Sequence, residues 1–138
     1  MLDRGLKVEI TENSGYFSCL FLWALFSVLT KSTLSECFLG IYTLNRLVFY
    51  ASIIIVCIRY ISFIRGRESR TILISLLIII SSIMGMYYSG REEIFILALF
   101  VVGAVDIDIE YAIKWLFYGE LIGTIIVVFL SSTGIIEN

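Results

Sequence analysis

The sequence predicts an all-α, polytopic integral membrane protein, a bundle of about five transmembrane helices with its N-terminus inside. Hydrophobic residues make up 59% of the 138 residues and charged residues only 16%, whereas soluble proteins carry about 25% charged residues. The mean hydropathy is +0.99. Long apolar runs without proline alternate with short charged breaks, and a helix needs about 20 apolar residues to cross a bilayer. We therefore expect a lipid bilayer around residues 15–138.

The N-terminal segment, residues 1–14, is a polar leader of mixed charge, which we expect on the cytoplasmic side as a solvated arm. The first apolar run follows at Tyr16–Thr30. It is short for a crossing, but Lys31 can extend its side chain from the helix end to the interface. The sequence therefore predicts the first span here.

The second apolar run, Phe38–Ile64, is longer than a bilayer requires and contains two arginines. The best fit places Leu47–Ile64 in the hydrocarbon and Arg46 in the outer interface. Arg59 then lies inside the helix, about five residues from its inner end, which corresponds to about 8 Å.

Arginines at 65, 67 and 70 form the densest positive cluster of the chain, offset only by Glu68. The positive-inside rule places this loop in the cytoplasm and sends the next run, Thr71–Tyr88, outward. The resulting topology puts six cations inside, namely Arg4, Lys7, Arg65, Arg67, Arg70 and Lys114, and three outside, namely Lys31, Arg46 and Arg91.

A polar break at Ser89–Glu93 separates two charge-free runs. A charge at the bilayer centre costs roughly 2.5 to 3.5 kcal/mol, so this break is predicted as an external turn. The following segment, Ile94–Ile109, is charge-free only over its first twelve residues. That length suits either a short crossing or a re-entrant segment. We predict a crossing, which with the last run at Ala112–Ser132 makes five spans, or four if the segment is re-entrant.

Composition excludes several classes of function. The chain has no histidine, so it contains no histidine-based catalytic triad or metal site. Cys19, Cys37 and Cys57 show no paired spacing and are expected to be free thiols. With a net charge of -2 and no basic patch, we expect no nucleic-acid partner, and we expect no cofactor.

Two charges are predicted well inside the spans, and an intramembrane charge is a functional hypothesis that calls for a partner. Arg59 and Glu120 fall at similar depth and could form a buried ion pair. The alternative is that Arg59 reaches the interface and Glu120 is protonated or hydrated. Gly119 and Gly123 flank that glutamate in a small-xxx-small pattern, which favours close helix packing but also arises by chance.

Two further groups of charges could bind ligands. Arg91 follows Gly90 at a predicted helix N-terminus, where anions are favoured, although Glu92 and Glu93 oppose an anion and are explained equally well as helix-start residues. Acids at 106, 108 and 110 alternate along the chain. Alternate residues diverge by about 200° on a helix, so these acids are predicted as solvated loop charges and no metal site is expected.

Three stretches carry a family resemblance: YYSGREEIFIL at 87–97, VGAVDID at 102–108, and LIG at 121–123 together with STGIIEN at 132–138. They resemble the N-terminal part of Wzy-type polysaccharide polymerases, which join lipid-linked repeat units of capsule, exopolysaccharide or O-antigen outside the membrane. The resemblance implies a multi-pass protein of the bacterial plasma membrane. It also implies a lipid-linked oligosaccharide ligand, and as partners either the missing C-terminal part or other polysaccharide-assembly membrane proteins.

Members of that family are much longer and carry external Arg-rich and His-Pro-Asn-like stretches that this sequence lacks. No catalytic residue can therefore be transferred to this chain. The resemblance predicts a polymerase fragment or split subunit that is inactive alone. The alternative is a small non-enzymatic membrane partner or assembly protein.

Overall fold

The computed structural model describes residues 13–64, 66–104 and 106–134, which form six helices and no strand. Residues 1–12 of the predicted leader lie outside the described residues. The helices are α1 Ser14–Lys31, α2 Leu34–Cys37, α3 Leu39–Ile64, α4 Ser69–Ser89, α5 Glu92–Gly103 and α6 Ile109–Ser132. The predicted all-α helical bundle is confirmed.

Four of these helices are long and apolar enough to cross a membrane: α1, α3, α4 and α6. They match the predicted runs to within a few residues, because the charged breaks that limit hydropathy also contain the helix ends. Between α4 and α5 the turn is tighter than predicted. Gly90, at φ 68°, donates its N–H to Met86 O at 2.8 Å and ends α4, and Glu92 and Glu93 already belong to α5.

Helix α5 is shorter than the crossing predicted over Ile94–Ile109, and that prediction is wrong at its C-terminal end. Its 12 residues extend about 18 Å, against about 30 Å for a hydrocarbon core. The helix stops at Gly103, and Asp106 adopts a positive φ of 66° that breaks helical geometry. Asp108 then begins α6 by accepting a hydrogen bond from the Glu110 N–H at 3.0 Å.

Helix α5 nevertheless connects the two ends of the bundle. Its first turn lies beside the C-terminus of α1, where Lys31 Nζ is 2.9 Å from Glu93 Oε1. Its last turn lies beside the start of α1, where the Tyr16 hydroxyl donates to Phe100 O at 2.8 Å. We call these the Lys31 end and the Asn13 end. The chain therefore runs between the two ends five times, with α5 as the short passage.

Helices α1 and α6 run parallel, as the four reversals of the chain between them require. Phe17 stacks on Trp115 at a ring-centroid distance of 6.0 Å, and further along both helices Gly123 approaches Val28. This pairing brings the first and last described helices of the chain together at the side of the bundle.

The core lies between α1, α3 and α5. Ile96 on α5 and Val56 on α3 are each only 1% exposed. The buried cluster around them consists of Tyr16, Phe17, Cys19, Leu20, Trp23, Val56, Ile96, Leu99, Phe100 and Ile107. In contrast, α3, α4 and α6 expose large apolar side chains along their outer faces, a pattern that fits contact with lipid.

Candidate functional site

A polar cavity of about 570 Å³ opens at the Lys31 end of the bundle. Its wall combines charged, amide and aromatic side chains. The lining residues are Trp23, Thr30, Lys31, Tyr42, Asn45, Arg46, Phe49, Gly90, Arg91, Glu92, Glu93 and Ile96.

One wall of the polar cavity is a single face of α3. Tyr42, Asn45, Arg46 and Phe49 follow the spacing i, i+3, i+4, i+7, which places side chains on one side of a helix. This stripe is the sequence signal that could have indicated the cavity. Arg46 was predicted only as an interface residue, and the cavity was therefore not predicted from the sequence.

A second part of the wall is the turn between α4 and α5. Gly90 reverses the chain with its positive φ, and Arg91 follows as the residue before the first turn of α5. The Arg91 N–H donates to Ser89 Oγ at 3.2 Å, which helps to hold the turn. The predicted anion-contact candidate Arg91 therefore lines a cavity shared with Lys31 and Arg46.

The charges of the polar cavity are only partly neutralised. Lys31 pairs with Glu93, whereas Arg46 and Arg91 form no ion pair in the part of the chain that the structure describes. Both arginines are exposed. Three cations against two carboxylates leave the lining with one excess positive charge.

The Asn13 end contains a second polar group, which we call the Arg59 cluster: Arg59, Asn13, Tyr16 and the carbonyls of Phe100 and Gly103. Arg59 Nε donates to Gly103 O at 2.9 Å, and Nη1 donates to Asn13 Oδ1. The guanidinium carbon lies 5.7 Å from the centroid of the Tyr16 ring, in reach of a cation–π contact.

The Arg59 cluster explains how α5 can end inside the protein. The last four carbonyls of a helix have no partner within the helix, and such groups are costly where water is absent. Tyr16 satisfies Phe100 O and Arg59 satisfies Gly103 O. A helix shorter than the hydrocarbon core is therefore tolerated, because neighbouring helices supply the missing donors.

The predicted Arg59–Glu120 ion pair is not formed. Arg59 is directed toward α1 and α5, while Glu120 is exposed on α6. Gly119, the residue before Glu120, lies against Phe21 of α1. Phe21 is five residues, or about 7.5 Å along the helix, beyond Tyr16, the α1 residue that contacts Arg59. Hydropathy indicated depth in the membrane but not the direction around each helix axis, and the end of α5 provided a nearer acceptor.

The predicted packing glycines lie at the α1–α6 contact. A Cβ added at Gly119 would be 2.6 Å from Phe21 O and 2.8 Å from Ala24 Cβ. One added at Gly123 would be 3.1 Å from Val28 Cβ. Both positions bring the backbones of α1 and α6 closer than a side chain would permit.

The three alternating acids before and within the first turn of α6 have separate partners. Asp106 pairs with Arg67, Asp108 caps α6, and Glu110 lies 2.8 Å from Lys114. No group of three potential metal ligands occurs within residues 13–64, 66–104 and 106–134. These acids organise the connection at the Asn13 end.

Comparisons with known proteins identified no relative: no protein-family model, no curated protein and no solved structure matches this chain. The function proposed below therefore rests on the resemblance of the sequence stretches and on the geometry described above.

Proposed function

We propose that this chain is the membrane-embedded N-terminal portion of a bacterial polysaccharide polymerase, which joins lipid-linked repeat units of capsule, exopolysaccharide or O-antigen. The chain supplies a helical scaffold and part of a ligand site, without the catalytic loops. The observation that carries this proposal is the polar cavity at the Lys31 end.

The polar cavity suits a sugar-bearing ligand. Its volume of about 570 Å³ falls within the range of about 300 to 1,000 Å³ that is typical of small-molecule sites. Tyr42 and Phe49 offer flat aromatic surfaces, and Asn45 between them offers an amide that both donates and accepts hydrogen bonds. Sugar rings, with apolar faces and hydroxyl edges, are complementary to such a wall.

The predicted topology supports the same proposal. The distribution of basic residues assigns the Lys31 end to the external side, and the polymerases that the sequence resembles act there. A cavity at the opposite end would face the cytoplasm and would not meet a repeat unit that has already crossed the membrane.

The proposal is tested by deleting the gene and measuring the length distribution of the surface polysaccharide by gel electrophoresis. We expect single repeat units or short oligomers to replace long polymer, and a plasmid copy of the gene to restore the polymer. Polymer of normal length in the deletion strain would contradict the proposal.

A second candidate is a non-enzymatic membrane partner, and the surface of α4 favours it. Helix α4 packs mainly on α5, with Ser75 and Ser82 buried, while apolar residues such as Leu73 and Leu77 on its other sides are more than half exposed. Such a face can receive another membrane helix. Crosslinking from cysteines at Leu73 and Leu77 to another membrane protein, together with polymer of normal length in the deletion strain, would favour this candidate.

A further inference from the structure

We propose that the polar cavity binds a phosphoryl group, that Arg46 and Arg91 are its ligands, and that the Lys31–Glu93 ion pair limits its affinity. This inference rests on the proposed function for the choice of a lipid-linked ligand, and it names the part of that ligand which the cavity recognises. The phosphoryl group can belong to a lipid headgroup or to a soluble phosphate.

The two arginines are available for an anion. Arg46 comes from α3 and Arg91 from the α4–α5 turn, so they approach the cavity from two different walls. Neither forms an ion pair with a described carboxylate. A guanidinium donates two parallel hydrogen bonds that match the oxygens of a phosphoryl group, so each arginine offers such a contact to an anion in the cavity.

The start of α5 adds donors on the same side. Its N-cap residue is Arg91, which has no acceptor in its side chain, and no side-chain capping bond is formed there. The first N–H groups of a helix lack partners within the helix and carry partial positive charge. Together with Arg91 they supply hydrogen-bond donors along this edge of the cavity, beside the carboxylates of Glu92 and Glu93.

The carboxylates of the cavity set the strength of binding. Glu93 is engaged by Lys31 at 2.9 Å, so the pair is nearly neutral as a unit. Glu92 is the carboxylate that directly opposes an anion at Arg46 and Arg91. Loss of the negative charge of Glu93 would release Lys31 as a third cation, and binding should then become tighter.

The depth of the cavity matches a lipid phosphate. Arg46 lies seven residues, about 10 Å, from the start of α3 at Leu39, with Tyr42 between them. Aromatic and cationic residues near a helix end are typical of the headgroup region of a bilayer. A lipid-linked phosphoryl group can therefore reach the arginines while its hydrocarbon chain stays in the membrane.

The test uses the purified full chain in detergent, with bound lipid counted by native mass spectrometry. The probes are a polyprenyl monophosphate, the matching uncharged polyprenol, and inorganic phosphate as competitor. We expect the phosphorylated lipid to bind about tenfold or more tightly than the polyprenol, as a charge-assisted bidentate contact implies. Equal binding of the two lipids would overturn the inference.

Substitutions of the two arginines test whether their side chains bind the phosphoryl group. Arg46→Gln and Arg91→Gln should each weaken binding of the polyprenyl monophosphate by about tenfold, and Arg46→Lys should weaken it less because the charge remains. Arg70→Gln removes the same charge at the Asn13 end and should bind as wild type does. Wild-type affinity in both Arg46→Gln and Arg91→Gln would overturn the inference. Monodisperse elution in size exclusion confirms that each variant is folded.

The Glu93→Gln variant tests the limiting role of the ion pair. It should bind the polyprenyl monophosphate several-fold more tightly, since Lys31 is released and a negative charge is lost. Unchanged or weaker binding in this variant would overturn the role of the pair.

Competition assigns the source of the phosphoryl group. Displacement of the lipid by millimolar inorganic phosphate supports the inference with a soluble ligand, and retention of the lipid supports it with a headgroup ligand. The proposed function and the phosphoryl site can be rejected independently. If the deletion strain makes polymer of normal length while binding of the phosphorylated lipid still depends on the arginines, the polymerase role is rejected and the phosphoryl site is retained.

Discussion

The two ends of α5 use charge in opposite ways. At the Asn13 end, Arg59 is partly buried and its donors meet the Gly103 carbonyl and the Asn13 amide oxygen. At the Lys31 end, Arg46 and Arg91 are exposed beside a cavity and form no ion pair with the described residues. The first arrangement stabilises the end of a short helix, and the second leaves positive charge available for a ligand. The role of an arginine in this protein is therefore indicated by the groups it contacts rather than by its depth in the membrane.

Cysteine labelling gives the largest expected contrast between the two ends, because accessibility is all or none. In a background without Cys19, Cys37 and Cys57, a membrane-impermeant maleimide applied to intact cells should modify Ser89→Cys at the Lys31 end. Ser69→Cys at the Asn13 end should react only after the membrane is permeabilised. The reverse pattern would place the polar cavity in the cytoplasm and reject the proposed function.

Replacing Arg59 tests whether the Asn13 end is structural. Arg59→Leu leaves Gly103 O and the Asn13 side chain without their donor, and we expect a loss of about 1 to 3 kcal/mol in the free energy of unfolding. Arg46→Leu, on the same helix but without an ion-pair partner among the described residues, should change this free energy by less than about 0.5 kcal/mol. Folded yield and melting temperature, followed by fluorescence-detected size exclusion, measure both variants.

A double variant separates this interpretation from the ion pair predicted with Glu120. The structure predicts that Glu120→Leu will not rescue Arg59→Leu, since the two side chains do not meet. Recovery of folded yield in the double variant would instead show coupling between them.

Replacing one glycine at each end of the bundle by alanine tests how tightly the two ends are packed. A Cβ at Gly103, at the Asn13 end, would lie 2.8 Å from Val56 Cγ1 and 3.3 Å from Tyr16 Cε2. Gly103→Ala should therefore destabilise the protein by about 1 to 3 kcal/mol through overpacking. A Cβ at Gly40, at the start of α3, would meet no atom of the described residues within 4 Å, so Gly40→Ala should be neutral or slightly stabilising. Equal melting temperatures for the two variants would show that the Asn13 end is not close-packed.

The ion pair at the Lys31 end should have the smallest effect on stability. Lys31 and Glu93 have side chains that are 62% and 44% exposed, and exposed pairs contribute about 0 to 1 kcal/mol. Lys31→Gln should therefore lower the melting temperature only slightly, and this shift should shrink further at high salt. A loss as large as that of Arg59→Leu would mean that the Lys31 end is also structural.

Hydropathy predicted the helices well because each of them is a local property of the chain. The charge-free run before Tyr88 became α4, and the glycine in the polar break became the residue with positive φ that ends it. The C-terminal end of α5 was not predicted by hydropathy. Apolar residues continue past Gly103, but Asp106 adopts its positive φ and pairs with Arg67, a residue distant in sequence.

The sequence by itself determined the class of fold, the four long apolar helices and the tight turn at Gly90, since composition and local hydropathy are sufficient for these. The tertiary structure alone decided the partners of Arg59 and the meeting of Lys31, Arg46 and Arg91 at one cavity. These contacts join residues that lie far apart along the chain. They depend on the rotation of each helix about its axis, and that rotation is set by packing of α1, α3 and α5 against one another, which a hydropathy pattern does not encode.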